Sequence, residues 1–226
     1  MPDIEFRTSA GTTPGYLAVP AGEQGPATIV LQEWWGMDDS VRAICDRFAA
    51  EGFFALAPDL YQGETTTAPS EAQQKMMAMS MDQVEQDMCG AAEHLLAQPG
   101  VQGDGVGSVG FCLGGGLSVW AAATCPAVKA VVTYYYVMPH GKPDFSAVHA
   151  PVLGHFGTND DFIPLEDAQK LEAELREAGV DVTFHYYEGA GHAFANDHDR
   201  LGTYDADLAE TAWQRTVSFL RAALTS

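Results

Sequence analysis

The chain has 226 residues, of which 46% are hydrophobic and 19% charged, a composition that predicts one globular domain over residues 1–226. Lysine and arginine number 11 against 31 acidic residues, so the formal net charge is −20. A charge of that sign repels phosphate backbones and anionic lipid headgroups, which disfavours a nucleic-acid-binding protein and a membrane-surface protein.

The N-terminal segment and the cysteines favour a cytoplasmic protein. Residues 1–11 lack the apolar segment of a secretory signal, and no run of about 18 apolar residues occurs. Cys45, Cys89, Cys112 and Cys125 form no CxxC pair, which predicts free thiols in a reducing compartment. Cys45 and Cys89 are expected to be inert. A Cys112–Cys125 pair is disfavoured, because 13 helical residues would place the two about 20 Å apart.

Strand-like and helix-like segments alternate along the chain. The predicted strands are 4–7, 16–19, 27–32, 53–57, 105–111, 128–135, 151–156 and 182–187. The predicted helices are 41–51 behind the capping residues 38–40, one helix that a Ser70–Gln73 capping box starts and Pro99 ends, 113–124, 165–178 and 204–224. This order predicts an α/β fold with a mostly parallel twisted sheet, helices on both faces and a site at the carboxyl ends of the strands.

The segment Gly110-Phe111-Cys112-Leu113-Gly114 lies between a predicted strand and a predicted helix. Glycine two residues on either side of a central residue is the spacing of a nucleophile elbow, a turn so sharp that larger neighbours would collide. The turn would raise the Cys112 thiol above the sheet, and the amino terminus of the next helix would favour a thiolate. The alternative is a small buried cysteine at a glycine-rich strand end.

Two further side chains follow strands that end at the same edge of the predicted sheet. Asp160 follows strand 151–156, and His192 follows strand 182–187. The order nucleophile, acid, histidine is that of α/β-hydrolases. We therefore predict that His192 takes the thiol proton and later gives it to the leaving alcohol, while Asp160 orients the imidazole. Taken singly, Asp160 is also typical of a helix start.

The loop 32–36 follows the third predicted strand and contains Glu33, Trp34 and Trp35. The backbone N–H groups of Trp34 and Leu113 are predicted to form an oxyanion hole. Glu33 lies between an apolar strand and two tryptophans, where a carboxylate needs a partner. The residues alone leave open whether that partner is the thiol of Cys112 or solvent.

Four motifs together resemble the dienelactone hydrolases (carboxymethylenebutenolidases), and the resemblance covers essentially the whole chain. They are Gln-Glu-Trp-Trp-Gly at 32–36, Gly-Phe-Cys-Leu-Gly-Gly at 110–115, the Asp160 loop and Gly-His-Ala-Phe at 191–194. The resemblance implies an α/β-hydrolase fold without a large cap domain, and neither a metal ion nor an organic cofactor. Its implied site residues are the triad Cys112, Asp160 and His192, a Glu33 that holds the thiol proton until substrate binds, and the candidate substrate contacts Trp35, Tyr135 and Asn196.

The resemblance breaks down at the substrate end. Family members that cleave dienelactone hold its carboxylate with two arginines, where this chain has Lys75 in the region of one and Asn196 at the position of the other. Each lost bidentate contact removes about 1.5–3 kcal/mol. We therefore expect a neutral ester or lactone as substrate, unless Lys142, His140 or Arg200 compensates.

The predicted function is cysteine-dependent hydrolysis of a small-molecule ester or lactone by a monomer. Two alternatives from other classes remain, a non-catalytic binding protein on the same fold and a thiol-based redox protein.

Overall fold

The computed structural model describes residues 3–225. Eight strands, numbered in chain order, form one sheet in the order β1-β2-β4-β3-β5-β6-β7-β8. The strands are β1 Asp3–Thr8, β2 Gly11–Ala18, β3 Gly25–Leu31, β4 Phe54–Pro58, β5 Val101–Phe111, β6 Val128–Tyr134, β7 Val152–Gly157 and β8 Val182–Tyr187. Strand β2 pairs antiparallel with β1 and β4, and all other pairs are parallel. The predicted α/β class and mostly parallel sheet are confirmed.

Helices cover both faces of the sheet. They are α1 Asp39–Ala50, α2 Pro69–Ala78, α3 Met81–Leu96, α4 Leu113–Thr124, α5 Leu165–Glu177 and α6 Ala206–Leu224. One apolar layer joins the sheet to α3, α4 and α5, and the other joins it to α1 and α6. Within residues 3–225, no insertion forms a large cap domain, and no helix is long and apolar enough to cross a membrane.

The helix predicted from Ser70 to Leu96 is two helices. It breaks at Met79, whose φ of −59° and ψ of 134° are extended rather than helical. The predicted Ser70 cap is also wrong, because the N-cap residue of α2 is Ala68, two residues earlier. Pro69 occupies the first helical position, where its fixed φ favours a helix start and its missing N–H costs nothing.

A disulfide joins Cys89 in α3 to Cys125 at the end of α4, with the two Cα atoms 5.4 Å apart. The prediction of four free thiols is therefore wrong for this pair, whereas Cys45 and Cys112 are free and buried. The two bonded residues are 36 positions apart and belong to helices that pack side by side. Their approach depends on that packing, which the spacing of cysteines along the chain does not show.

Candidate active site

Cys112 occupies the tight turn between β5 and α4. Its φ of 56° and ψ of −115° are strained for a residue with a side chain. Both glycines of the elbow are needed, because a Cβ at Gly110 would lie 1.8 Å from the carbonyl oxygen of Gly114. A Cβ at Gly114 would lie 2.2 Å from the carbonyl oxygen of Leu31. The glycine spacing thus allows β5 to pass directly into α4 with Cys112 at the carboxyl edge of the sheet.

The thiol of Cys112 is in a largely apolar setting that opposes its ionisation. Burial is the main cause that raises its pKa, and the nearby charge of Glu33 raises it further. The backbone N–H groups of Leu113 and Trp34 donate to the sulfur and lower the pKa. Both N–H groups predicted to form an oxyanion hole therefore lie beside the sulfur.

His192 and Asp160 form a buried hydrogen-bonded pair at the ends of β8 and β7. Nδ1 of His192 lies 2.8 Å from Oδ2 of Asp160. The other carboxyl oxygen, Oδ1, accepts from the backbone N–H groups of Phe162 and Ile163, each at 2.8 Å. Three hydrogen bonds therefore fix the Asp160 carboxylate, and through it the plane and tautomer of the imidazole. Within residues 3–225, no hydrogen bond joins the Cys112 thiol to His192 in this structure.

Glu33 is nine-tenths buried in the loop that follows β3, two residues after Leu31. Its Oε2 accepts from Nδ2 of Asn196 at 3.1 Å, while its Oε1 is buried without a partner. Burial raises the pKa of Glu33, and the Asn196 hydrogen bond and the charge of His192 oppose this shift. The carboxyl therefore favours its neutral form more than an exposed glutamate does.

A cavity of about 110 Å³ brings most of the predicted site residues together. Its lining includes Glu33, Trp34, Trp35, Cys112, His192 and Asn196. Tyr135 does not line it; its side chain is fully buried, and its ring centroid lies 4.9 Å from that of the His192 imidazole. Phe162 and Leu201 also line the cavity although they are exposed, and as loop residues without periodicity they carry no signal in the sequence.

Of the cations considered as replacements for the missing arginines, Arg200 lines this cavity. Its Nη2 lies 2.6 Å from Oδ2 of Asp38, and its guanidinium lies 4.9 Å from the ring centroid of Trp35. Lys75 and Lys142 are ion-paired elsewhere, with Glu64 and Glu174 respectively. His140 bonds the carbonyl oxygen of Met76.

The chain is similar to known proteins in sequence and in fold. The profile of the dienelactone hydrolase family matches residues 13–224. Protein usf of Aquifex pyrophilus is 34% identical over 98% of both chains, and a protein of Aquifex aeolicus provisionally named a carboxymethylenebutenolidase is 31% identical over 96% of both. A crystal structure from Klebsiella pneumoniae, provisionally named a dienelactone hydrolase, superposes with a TM-score of 0.86 at 28% identity over 97% of both chains. The chain belongs to the dienelactone hydrolase family.

Proposed function

We propose that the protein hydrolyses a carboxylic ester or lactone through an acyl-enzyme on Cys112. The observation that carries this proposal is the meeting of three groups at one edge of the sheet. Cys112 stands at the strained elbow, it shares a cavity with His192, and His192 is bonded to Asp160 at 2.8 Å. Family membership supports hydrolysis, and these contacts support the residue roles.

In the proposed reaction, the thiol proton passes to His192 and the sulfur of Cys112 attacks the carbonyl carbon. The resulting oxyanion accepts hydrogen bonds from the N–H groups of Leu113 and Trp34. Collapse of this tetrahedral intermediate breaks the bond between the carbonyl carbon and the alcohol oxygen, and the departing alkoxide takes the proton from His192. His192 then removes a proton from water, which attacks the thioester. The carbon–sulfur bond breaks as the carboxylic acid forms, and the thiolate takes the proton back from His192.

Glu33 is the proposed resting partner of the thiol. Its charge acts on Cys112 strongly enough to raise the pKa of the thiol, and both side chains line the cavity. In this role Glu33 holds the thiol proton until substrate enters, as the family resemblance implies. The raised pKa of Glu33 supports the role, because a buried carboxyl that readily takes a proton is a better proton holder.

The proposed substrate is less anionic than dienelactone. Asn196 is uncharged, and the charge of Arg200 is offset by its ion pair with Asp38, so neither supplies an unopposed positive charge for a substrate carboxylate. Asp199 adds a further acidic side chain to the lining. A neutral ester or lactone avoids the repulsion that this lining and the net charge of −20 impose on an anion.

The test is ester turnover by Cys112→Ala against a matched variant, Cys45→Ala, in which the other free cysteine is removed. We expect Cys112→Ala to lose turnover while its thermal unfolding stays close to that of the parent protein, and Cys45→Ala to retain turnover. Substantial turnover by Cys112→Ala would show that the nucleophile is misassigned. A panel of neutral aryl esters and dienelactone tests the substrate, and a strong preference for dienelactone would refute the neutral class.

The two alternatives make different predictions. A thiol redox protein would join Cys112 to a second sulfur when oxidised; Cys125 is already bonded to Cys89, which leaves Cys45, a buried free thiol on α1, as its partner. A non-catalytic binding protein would bind esters without turnover. The cytoplasmic location and the monomeric state stay predictions, and the disulfide is unusual for a reducing compartment.

A further inference from the structure

The side chains of Glu33 and Asn196 form the wall between two cavities. Both residues line the cavity that contains Cys112, and both line a second cavity of about 90 Å³. The second cavity lies between β3, the first turns of α1 and the start of α6, and its polar lining includes Asp38, Ser40, Arg47 and Tyr204. Because there is a cavity on either side of the Glu33 carboxyl, its position depends on the hydrogen bonds that it makes within this wall.

The amide of Asn196 can face Glu33 in only one orientation. Its Oδ1 accepts from the backbone N–H of His198 at 3.0 Å, so this oxygen is committed to the turn that Asn196 begins. Its Nδ2 is then left to donate to Oε2 of Glu33 at 3.1 Å. The backbone N–H of Asn196 bonds the carbonyl oxygen of Ala193, which ties the same turn to the residue after His192.

We propose that Asn196 is a positioning residue that holds the Glu33 carboxyl beside Cys112 through this hydrogen bond. The bond occupies Oε2 and leaves Oε1, the oxygen without a partner, as the one that can accept a hydrogen bond from the resting thiol. The proposal rests on the proposed function, because Glu33 matters only if Cys112 is the nucleophile. It assigns Asn196 to the catalytic machinery rather than to substrate recognition.

The other charged groups near Glu33 come from three elements. His192 after β8 and Arg200 in the following loop lower the pKa of Glu33, and Asp38 at the start of α1 raises it. Arg200 and Asp38 are ion-paired, so their effects oppose each other. Asn196 is the hydrogen-bond donor to the carboxyl, and a donor favours the charged form of an acid. Its removal should therefore raise the pH at which the Glu33–Cys112 pair loses its first proton.

Three variants distinguish a positioning role of Asn196 from an effect of added charge and from a loss of folding. Asn196→Leu removes the donor at similar size. Asn196→Asp keeps the oxygen that accepts from the His198 N–H but places a carboxylate oxygen against Oε2 of Glu33. His198→Asp introduces an aspartate in the same loop, on an exposed side chain that bonds nothing in the site. Thermal unfolding of each variant shows whether its fold is retained.

The first readout is the rate of Cys112 alkylation by iodoacetamide between pH 5 and 10, with Cys112→Ala as background. This readout does not need an ester to be turned over. We expect the acidic limb of the profile to move upward in Asn196→Leu, and by about one pH unit or more in Asn196→Asp, where two carboxyls oppose each other. His198→Asp should leave the limb in place, since solvent screens its charge. The acidic limb of kcat/KM for 4-nitrophenyl acetate should shift in parallel.

Two results would overturn the proposal. One is an alkylation profile of folded Asn196→Asp that coincides with that of the parent protein. The other is an equal shift in Asn196→Asp and His198→Asp, which would make the effect one of net charge. If Asn196→Leu fails to fold, the comparison of the two aspartate variants still decides. Absence of ester turnover in the parent protein would refute the proposed function instead, and the alkylation profiles would still report on Asn196.

Discussion

Breaking the Cys89–Cys125 disulfide is expected to lower the free energy of unfolding by about 4 kcal/mol. The bond closes a loop of 36 residues, and the loss of loop-closure entropy in the unfolded chain gives this magnitude at 25 °C. For a chain of this length, the corresponding fall in Tm is about 8 °C. Since Cys125 lies at the end of α4 remote from Cys112, ester turnover at 25 °C should persist.

The assay compares thermal unfolding of the parent protein and of Cys89→Ala/Cys125→Ala, each with and without a phosphine reductant. Reductant should lower the Tm of the parent protein to that of the double variant, and should leave the double variant unchanged. Titration of thiols in denaturant without reductant should count two in the parent protein, from Cys45 and Cys112. Four titratable thiols, or a Tm that does not respond to reductant, would refute the reasoning.

Three further outcomes are expected. Gly114→Ala should cost about 3 kcal/mol and abolish turnover, because its Cβ meets the backbone of β3, whereas Gly22→Ala, with open space around it, should be neutral in the same unfolding assay. Arg200→Ala should lower stability by about 1 kcal/mol or less and leave the preference between neutral and anionic esters nearly unchanged, since Asp38 already neutralises the guanidinium; a selective loss of anionic-ester turnover would contradict this. Burial lowers the pKa of His155, so as the pH falls the unfolded chain takes up a proton on this residue before the folded protein does. Between pH 6.5 and 5.5 the free energy of unfolding of the parent protein should therefore fall by about 1 kcal/mol more than that of His155→Gln. Equal losses would show that His155 is not the group responsible.

Local patterns in the sequence were sufficient to predict the architecture. Strand β8 and helix α4 have the predicted bounds, because alternation and the elbow glycines are properties of adjacent residues. The edge on which Asp160 and His192 lie also follows from the strand order, since the carboxyl ends of parallel strands coincide. The break at Met79 contains neither glycine nor proline, and its local signal is Ser80 three residues before Gln83, the spacing of a capping box, where Ser80 is the N-cap residue of α3.

Contacts between residues distant in the chain could not be predicted from the sequence, for a physical reason. The ion pair of Arg200 with Asp38 joins residues 162 positions apart, and Glu33 and Asn196 are 163 apart. Each contact depends on the path of a loop over the sheet edge, which neither periodicity nor capping residues determine. A sequence can therefore indicate which side chains reach the edge without showing which of them neutralise one another there.

The neutrality of the resting site explains why an acidic protein can contain a cysteine nucleophile. Burial opposes a charge on Cys112 and on Glu33 alike, so the resting pair favours an uncharged thiol. An uncharged thiol is a weak nucleophile and resists oxidation and stray alkylation. In the proposed mechanism the charge arises only when the proton moves within the cavity, beside the N–H groups of Leu113 and Trp34 that stabilise it. The reactivity of Cys112 toward iodoacetamide at neutral pH should accordingly be lower than that of a small exposed thiol such as glutathione.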